Sequence, residues 1–258
     1  VTLLAEVYGR LRARFGEGRW WPAETPFEVC LGAILTQRTS WRNVEKALDR
    51  LRRRGRLSYE GLRGIPPTRL GPWIRPAGFF RVKARRASAF VRFIGREYAG
   101  RVEEMSREGV EGARRKLLEV PGIGPETADS ILLYAAGLPV FVVDAYTRRV
   151  FSRLGVISGR ESYDTIQQLF TLHIPESVAL YNDYHAQIVA LGKAFCRRRP
   201  LCPDCPLVDL CPKKGVKGGG RRATVRARRD KIRHEKGASR FRRESRPREV
   251  QVERATGS

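Results

Sequence analysis

The sequence predicts an all-α protein, and three observations predict it. Strand signals are nearly absent along the 258 residues. Apolar residues instead recur at helical spacing, and Pro–Gly breakers cut the chain into segments of roughly 10 to 18 residues joined by short connections. The first clear helical pattern runs through Val29, Ile34, Val44 and Leu48, with Cys30 inside it as an ordinary buried thiol. Breakers follow at Gly64-Ile65-Pro66-Pro67 and at Arg75-Pro76-Ala77-Gly78. The stretch after them reads as a helix through Ala87, Phe90, Val91 and Ile94. Leu117 and Leu118 close a further helix before Pro121-Gly122-Ile123-Gly124, where glycine permits the positive φ that a tight turn needs and Pro125 suits the first turn of the next helix. The β-branched Val142-Val143 hints at a strand, but the residues after it favour a helix beginning near Asp144. A last helical stretch, Tyr181 to Phe195, leads into a run of cysteines.

Charge is the unusual bulk property. A formal +24 points to a polyanionic partner, nucleic acid or an anionic membrane surface. No apolar run reaches the roughly 18 to 20 residues of a membrane span, and the first residues are too broken by charge for a signal peptide. A cytoplasmic, nucleoid-associated protein with no membrane partner is expected. Residues 213–258 hold 17 Lys or Arg against 5 Asp or Glu and almost no aliphatic periodicity, which reads as a disordered basic tail. The remainder still carries about half the excess charge, so basicity belongs to the folded part too.

The stretch from Leu117 to Gly155 carries most information. The turn at Gly122, Ile123 and Gly124 and the helix start at Thr127 gather free backbone N–H groups, which suit a phosphate. A turn of this kind also occurs where two helices merely pack. About twenty residues later stands Val142-Val143-Asp144-Ala145-Tyr146-Thr147-Arg148-Arg149-Val150. Asp144 reads either as a catalytic carboxylate or as the cap of the helix starting at Ala145. Both roles are compatible, since capping would fix the carboxylate and keep it ionised.

Four of the five cysteines, Cys196, Cys202, Cys205 and Cys211, crowd into sixteen residues with spacing C-x5-C-x2-C-x5-C. In a cytosolic chain that crowding means a metal or cluster site rather than disulfides. Four thiolates suit zinc or an iron–sulfur cube. A zinc ribbon shows two CxxC knuckles, and only the one from Cys202 to Cys205 is present.

On the hairpin and the Asp144 segment together, the chain resembles the endonuclease III-like helix-hairpin-helix (HhH-GPD) DNA glycosylases. The resemblance runs from about Leu4 to Pro212. It implies two helical domains with DNA bound in the cleft between them. Residues 20–133 would be a six-helix bundle holding the hairpin, and 1–19 with 134–212 the cluster domain. It implies a [4Fe–4S] cluster on the four cysteines, shaping the loop of Arg197, Arg198 and Arg199 into a phosphate-binding surface. It further implies a monomer acting on double-stranded DNA with damaged bases, and it makes Asp144 the essential carboxylate. Three departures stand out. The family's histidine two residues after that aspartate is Tyr146. The first cysteine gap is one residue short. The lysine that forms a Schiff base in bifunctional members is Glu126, and a carboxylate cannot form an imine.

Thr39-Ser40-Trp41-Arg42-Asn43, read with Glu126-Thr127-Ala128-Asp129-Ser130, resembles the 3-methylpurine glycosylase branch. There Gln37 would enter near the flipped base, and Trp41 offers a π-face to an electron-poor base or is simply packed. Arg42 contacts the site or is a solvated charge. Gly78-Phe79-Phe80-Arg81-Val82-Lys83-Ala84 matches a minor-groove loop, in which Phe79 or Phe80 would wedge into the stack or pack inward. His185 reads as a packed histidine near the cleft, and Asp183 has no assigned role. The expected function is a monofunctional glycosylase for N3- or N7-alkylated purines, with weak or absent lyase activity. An endonuclease III-type enzyme for oxidised pyrimidines or mismatched thymine or uracil is the enzymatic alternative. A non-catalytic DNA-binding protein is the alternative from another class.

Overall fold

The computed structural model describes residues 2–18 and 23–216. The expected basic tail lies outside these residues from 217 onward, as does the expected domain boundary at residues 19 and 20. The described residues are helical, without strands: α1 (Leu3–Phe15), α2 (Pro26–Leu35), α3 (Trp41–Arg52), α4 (Tyr59–Leu62), α5 (Pro67–Trp73), α6 (Phe80–Tyr98), α7 (Gly109–Leu118), α8 (Pro125–Tyr134), α9 (Ala145–Arg153), α10 (Tyr163–His173) and α11 (Val178–Ala194). No described helix is long and apolar enough to cross a membrane. The expected all-α class holds.

Local chemistry sets the helix starts. Thr2, Thr25, Ser58, Asp144, Ser162 and Ser177 each accept a first-turn N–H on the side chain, which satisfies one of the donors that every helix start leaves over. The hint of a strand at Val142 resolves differently. Residues 139–144 form an irregular segment rather than a strand. Val140, Phe141, Val142 and Val143 are buried, so their backbone groups need partners. Two come from α10, whose Tyr163 hydroxyl accepts from Val143 N at 3.2 Å and whose Gln167 Nε2 donates to Phe141 O at 2.6 Å.

The helices sort by what they pack against. Around α6 gather α2, α4 and α5, while α2 also meets α8. Around α11 gather α1 and α9, and α11 touches α8 as well. Enough contacts cross this seam for residues 1–216 to form one compact unit. Asp183, unassigned by sequence, fastens α1 to α11. Its Oδ2 accepts from the Tyr8 hydroxyl at 2.6 Å and from Arg12 at 3.3 Å, and its Oδ1 accepts from Gly18 N at 2.7 Å. The Tyr184 hydroxyl donates to Leu4 O at 2.7 Å beside it.

A second polar tie holds α8 against α7 and α10. Asp129 is fully buried and accepts from Arg114 Nε at 2.7 Å and from Gln167 at 2.6 Å, while Arg114 also reaches Asp164 at 2.9 Å. Burial still pushes the Asp129 carboxyl above its usual value, so the arginine only partly offsets desolvation. Arg114→Met strands that charge and is expected to cost about 3 kcal/mol of stability, read as a lower urea midpoint at unchanged slope. An unaltered midpoint would show that Gln167 alone satisfies Asp129.

Candidate active site

Three helix starts and the outer face of α6 converge on one cavity of about 1260 Å³. α8 brings the hairpin and Glu126, α9 brings Asp144, α3 brings Trp41, and Phe79, Lys83 and Arg86 line the remaining wall with His185 of α11.

Asp144 caps α9. Its Oδ1 accepts from Thr147 N at 2.7 Å and from the Thr147 hydroxyl at 3.0 Å. Its Oδ2 lies 3.6 Å from His185 Nε2, beyond a formed hydrogen bond but within electrostatic reach. Burial alone would raise this carboxyl. The attraction of His185 and the Thr147 hydrogen bonds outweigh burial, and the net direction is down. The group therefore stays charged in a largely dry place. One oxygen caps the helix, and the other lies toward His185.

Glu126 opens into the same cavity from the first turn of α8. Although its side chain is exposed to the cavity, the protein around it raises the carboxyl, and the Asp144 charge adds to this. His185 and Arg148 pull the other way without cancelling it. Two neighbouring carboxyls are thus driven apart in proton affinity, the pattern that separates acid and base roles.

The hairpin turn is built as its glycines require. Gly122 has φ 88° and packs against the Arg86 side chain so closely that a Cβ there would collide with it. Ile123 turns into the core and donates its N–H to Val120 O at 3.0 Å. Gly124 is the cap position of α8 and makes no side-chain cap bond. Among the described residues the N–H groups of Gly122, Gly124, Glu126 and Thr127 have no backbone or side-chain acceptor. Gln37, expected to enter near a flipped base, lines the cavity and hydrogen-bonds to the hairpin through its amide. Its Nε2 donates to Gly122 O at 3.1 Å and to Thr127 Oγ1 at 3.0 Å, and its Oε1 accepts from Arg86. Arg86 went unnoticed in the sequence. Its signal was a position one helical turn beyond Lys83, on the face of α6 that meets the hairpin.

The remaining expected residues divide. Trp41 lines the cavity while also packing on the core. Phe79 is 66% exposed with a left-handed φ of 46°, standing at the cavity rim. Phe80 points elsewhere, against Gly71 and between the guanidinium groups of Arg75 and Arg81. Arg42 is exposed and does not line the cavity. Tyr146, the departure from the family's histidine, lays its ring over Gly192 of α11 so tightly that a Cβ there would collide, with Arg149 stacked 4.9 Å from its centroid. Lys83 is buried, and its Nζ donates to Leu35 O at 2.8 Å and Ala77 O at 2.7 Å, so the amine is engaged.

The four cysteines sit in a loop held from beneath by α9. Arg149 Nε donates to Cys196 O at 2.7 Å, and Arg153 donates to Cys196 Sγ at 3.3 Å and Arg197 O at 2.6 Å. All four thiols are free and half-buried. Burial raises those of Cys205 and Cys211, and each also feels the other cysteines, so the four are neighbours in space. Among the described residues no three His, Cys, Asp or Glu side chains converge on a point that would hold a single metal ion.

Comparison with known proteins agrees with this geometry. The profile of the HhH-GPD superfamily base excision DNA repair proteins matches residues 31–176. A candidate DNA repair glycosylase of Methanocaldococcus jannaschii is 44% identical over 214 residues, which cover 82% of this chain and 97% of that protein. The fold is that of endonuclease III in its non-covalent complex with DNA (TM-score 0.70, 24% identity, 83% of this chain and 97% of that one). The H. pylori 3-methyladenine DNA glycosylase bound to 1,N6-ethenoadenine also superposes (TM-score 0.63, 28% identity, 74% of this chain and 97% of that one).

Proposed function

Because the chain belongs to the HhH-GPD superfamily of base excision DNA repair proteins, we propose that this DNA glycosylase is monofunctional and hydrolyses the glycosidic bond of N3- or N7-alkylated purines. The observation that carries this reading is the pair of carboxyls in the cavity. Asp144 is held ionised, and the position from which relatives form an imine is Glu126. As the glycosidic bond breaks, positive charge develops on the sugar, and a fixed carboxylate lowers the energy of that state. Two lysines line the cavity, and neither stands at the hairpin position: Lys83 is tied to two carbonyls, and Lys193 comes from the last turn of α11. Alkylated purines already carry positive charge and leave as neutral bases, so they ask least of a site that offers Asp144 alone. Likeness to the H. pylori 3-methyladenine glycosylase supports the same choice.

Around this centre the open N–H groups at Gly122, Gly124 and Thr127 would grip a backbone phosphate, with Ile123 anchoring the turn. Trp41 would stack on the flipped base. Phe79, rather than Phe80, has the exposure needed to enter the base stack. The two groups of helices would be the two domains read from the sequence, with duplex DNA lying across the seam. The four cysteines suit a [4Fe–4S] cluster rather than a zinc ribbon, because only one CxxC knuckle, from Cys202 to Cys205, is present. Cys196, Cys202, Cys205 and Cys211 would hold the cluster, which supplies a rigid scaffold for the Arg197–Arg199 loop.

Purified protein given dimethyl sulfate-methylated DNA is expected to release methylpurines, followed by chromatography, with strand breaks only after alkali. Release of thymine glycol, uracil or mismatched thymine in place of methylpurines would move the substrate to the pyrimidine branch. Breaks without alkali would refute the monofunctional reading.

A further inference from the structure

Behind Asp144 lie two groups that the hydrolysis just described leaves unused, Tyr134 at the end of α8 and His185 in the middle of α11. The Tyr134 hydroxyl is 2.5 Å from His185 Nδ1, and His185 Nε2 is 3.6 Å from Asp144 Oδ2. His185 is only 4% exposed. The three side chains come from three helices, so their alignment is a product of tertiary packing rather than of any local motif.

The proton positions follow from the chemistry. Burial, reinforced by the charge of Asp144, pushes the Tyr134 hydroxyl well above its ordinary value, so it keeps its proton. Asp144 is an acceptor only. A ring with its single proton on Nδ1 would aim a lone pair at the carboxylate and leave the tyrosine proton without this acceptor. With the proton on Nε2, the hydroxyl donates to Nδ1 and the ring N–H faces Asp144 Oδ2 across 3.6 Å, an electrostatic contact longer than a hydrogen bond. Asp144 then meets partners on two sides: Oδ1 is hydrogen-bonded to the first turn of its own helix, and Oδ2 faces the imidazole of α11 at 3.6 Å.

We propose that Tyr134 and His185 form a positioning relay for Asp144, in which the tyrosine hydroxyl orients the imidazole and the imidazole edge attracts the carboxylate's second oxygen from 3.6 Å. The relay rests on the reading of Asp144 as the working carboxylate. It explains how a largely buried carboxylate keeps one orientation beside Glu126. It also explains why the seam between α8 and α11 carries a histidine where an apolar residue would pack more simply. The charged and titratable groups around the pair are Asp144 and Arg148 on α9 and Glu126 on α8, with Tyr163 of α10 facing Glu126.

The test compares full-length wild type with His185→Leu, His185→Gln, Tyr134→Phe and Asp144→Asn. Carboxyl titrations are followed by NMR on 13C-labelled aspartate, with Asp144→Asn identifying the resonance. Single-turnover base release from methylated DNA is measured across pH. His185→Leu is expected to move the Asp144 titration, and with it the acid limb of the rate profile, upward by about one unit, with duplex affinity unchanged. Tyr134→Phe is expected to shift both by less. His185→Gln, whose amide N–H takes the place of Nε2–H, is expected to restore most of the wild-type position. If His185→Leu does not fold, Tyr134→Phe and His185→Gln decide the matter by the same titration. An Asp144 titration that stays put in every folded variant overturns the relay. Base release that survives Asp144→Asn would instead overturn the reading of Asp144, and the titration would still report whether the relay acts on it.

Discussion

An Asp144→Asn variant is expected to bind lesion-bearing duplex as the wild type does and to lose base release by about a thousandfold. The magnitude comes from one Coulomb interaction. A carboxylate about 4 Å from a developing unit charge, at an effective dielectric of about 20, stabilises it by roughly 4 kcal/mol, which is near three powers of ten in rate. Asparagine retains an Oδ1 that can still accept from Thr147 N, so the α9 cap and the fold should survive. Rate and structure are therefore separable here, unlike at most buried charges. The measurement is single-turnover release alongside a binding titration on the same duplex. Undiminished release would make Asp144 a cap and nothing more. Loss of binding together with release would place the defect in assembly of the site rather than in its chemistry.

Lys83→Met is expected to lower stability by about 2 to 3 kcal/mol while leaving no catalytic amine to miss. The wild-type ammonium closes two helix ends at once. Leu35 O is among the carbonyls left over at the end of α2, and Ala77 O ends the short turn before Phe79. Methionine fills the volume but leaves both carbonyls buried without a donor. A dependence on pH accompanies this loss. Burial, with the positive charge of Arg86 adding to it, lowers the Lys83 amine to about 8. Between that value and the free-lysine range near 10.4, the unfolded chain binds more protons than the folded one, so stability rises with pH across that window. Denaturation at pH 7.5 and pH 9.5 should show this slope in the wild type and not in Lys83→Met. A variant as stable as wild type at both pH values would mean that water replaces the ammonium at both carbonyls.

Much of the fold was legible because its signals are local. Helical periodicity, the Ser, Thr and Asp caps and the Pro-Gly turn each act within a few residues, and the helices appear where those signals lie. The expectation about Val142 and Val143 shows where local reasoning stops. The β-branched residues stand in an irregular segment, whose backbone partners include the Tyr163 and Gln167 side chains rather than a second strand. In the site, a cap position marks Asp144 locally, while its catalytic reading and the choice of Glu126 came from resemblance to the family's motif. The partners of Gln37 within the protein, Gly122, Thr127 and Arg86, are distant in sequence and were not foreseen. The same holds for Asp183, whose partners Tyr8, Arg12 and Gly18 stand more than 160 residues away. Nothing in the neighbourhood of such a residue records which far element will supply its partner. Phe79 and Phe80 were interchangeable on sequence and differ only through the left-handed backbone at Phe79, which turns one ring outward and the other in.

The fastening of α1 to α11 bears on how the chain is made. Leu4, Val7 and Leu11 are buried, and α1 packs chiefly on α11 with a smaller contact to α10. During synthesis α1 leaves the ribosome some 170 residues before Tyr181 and Asp183, which at 5 to 20 residues per second is roughly 9 to 34 s. Throughout that interval its apolar stripe has no native surface to meet, while the helices from α2 to α8 can already assemble on one another. A nascent chain of this protein thus carries an unburied amphipathic helix beside a growing folded body. That helix is a natural handle for chaperones, and the point from which a stalled or truncated product would begin to aggregate.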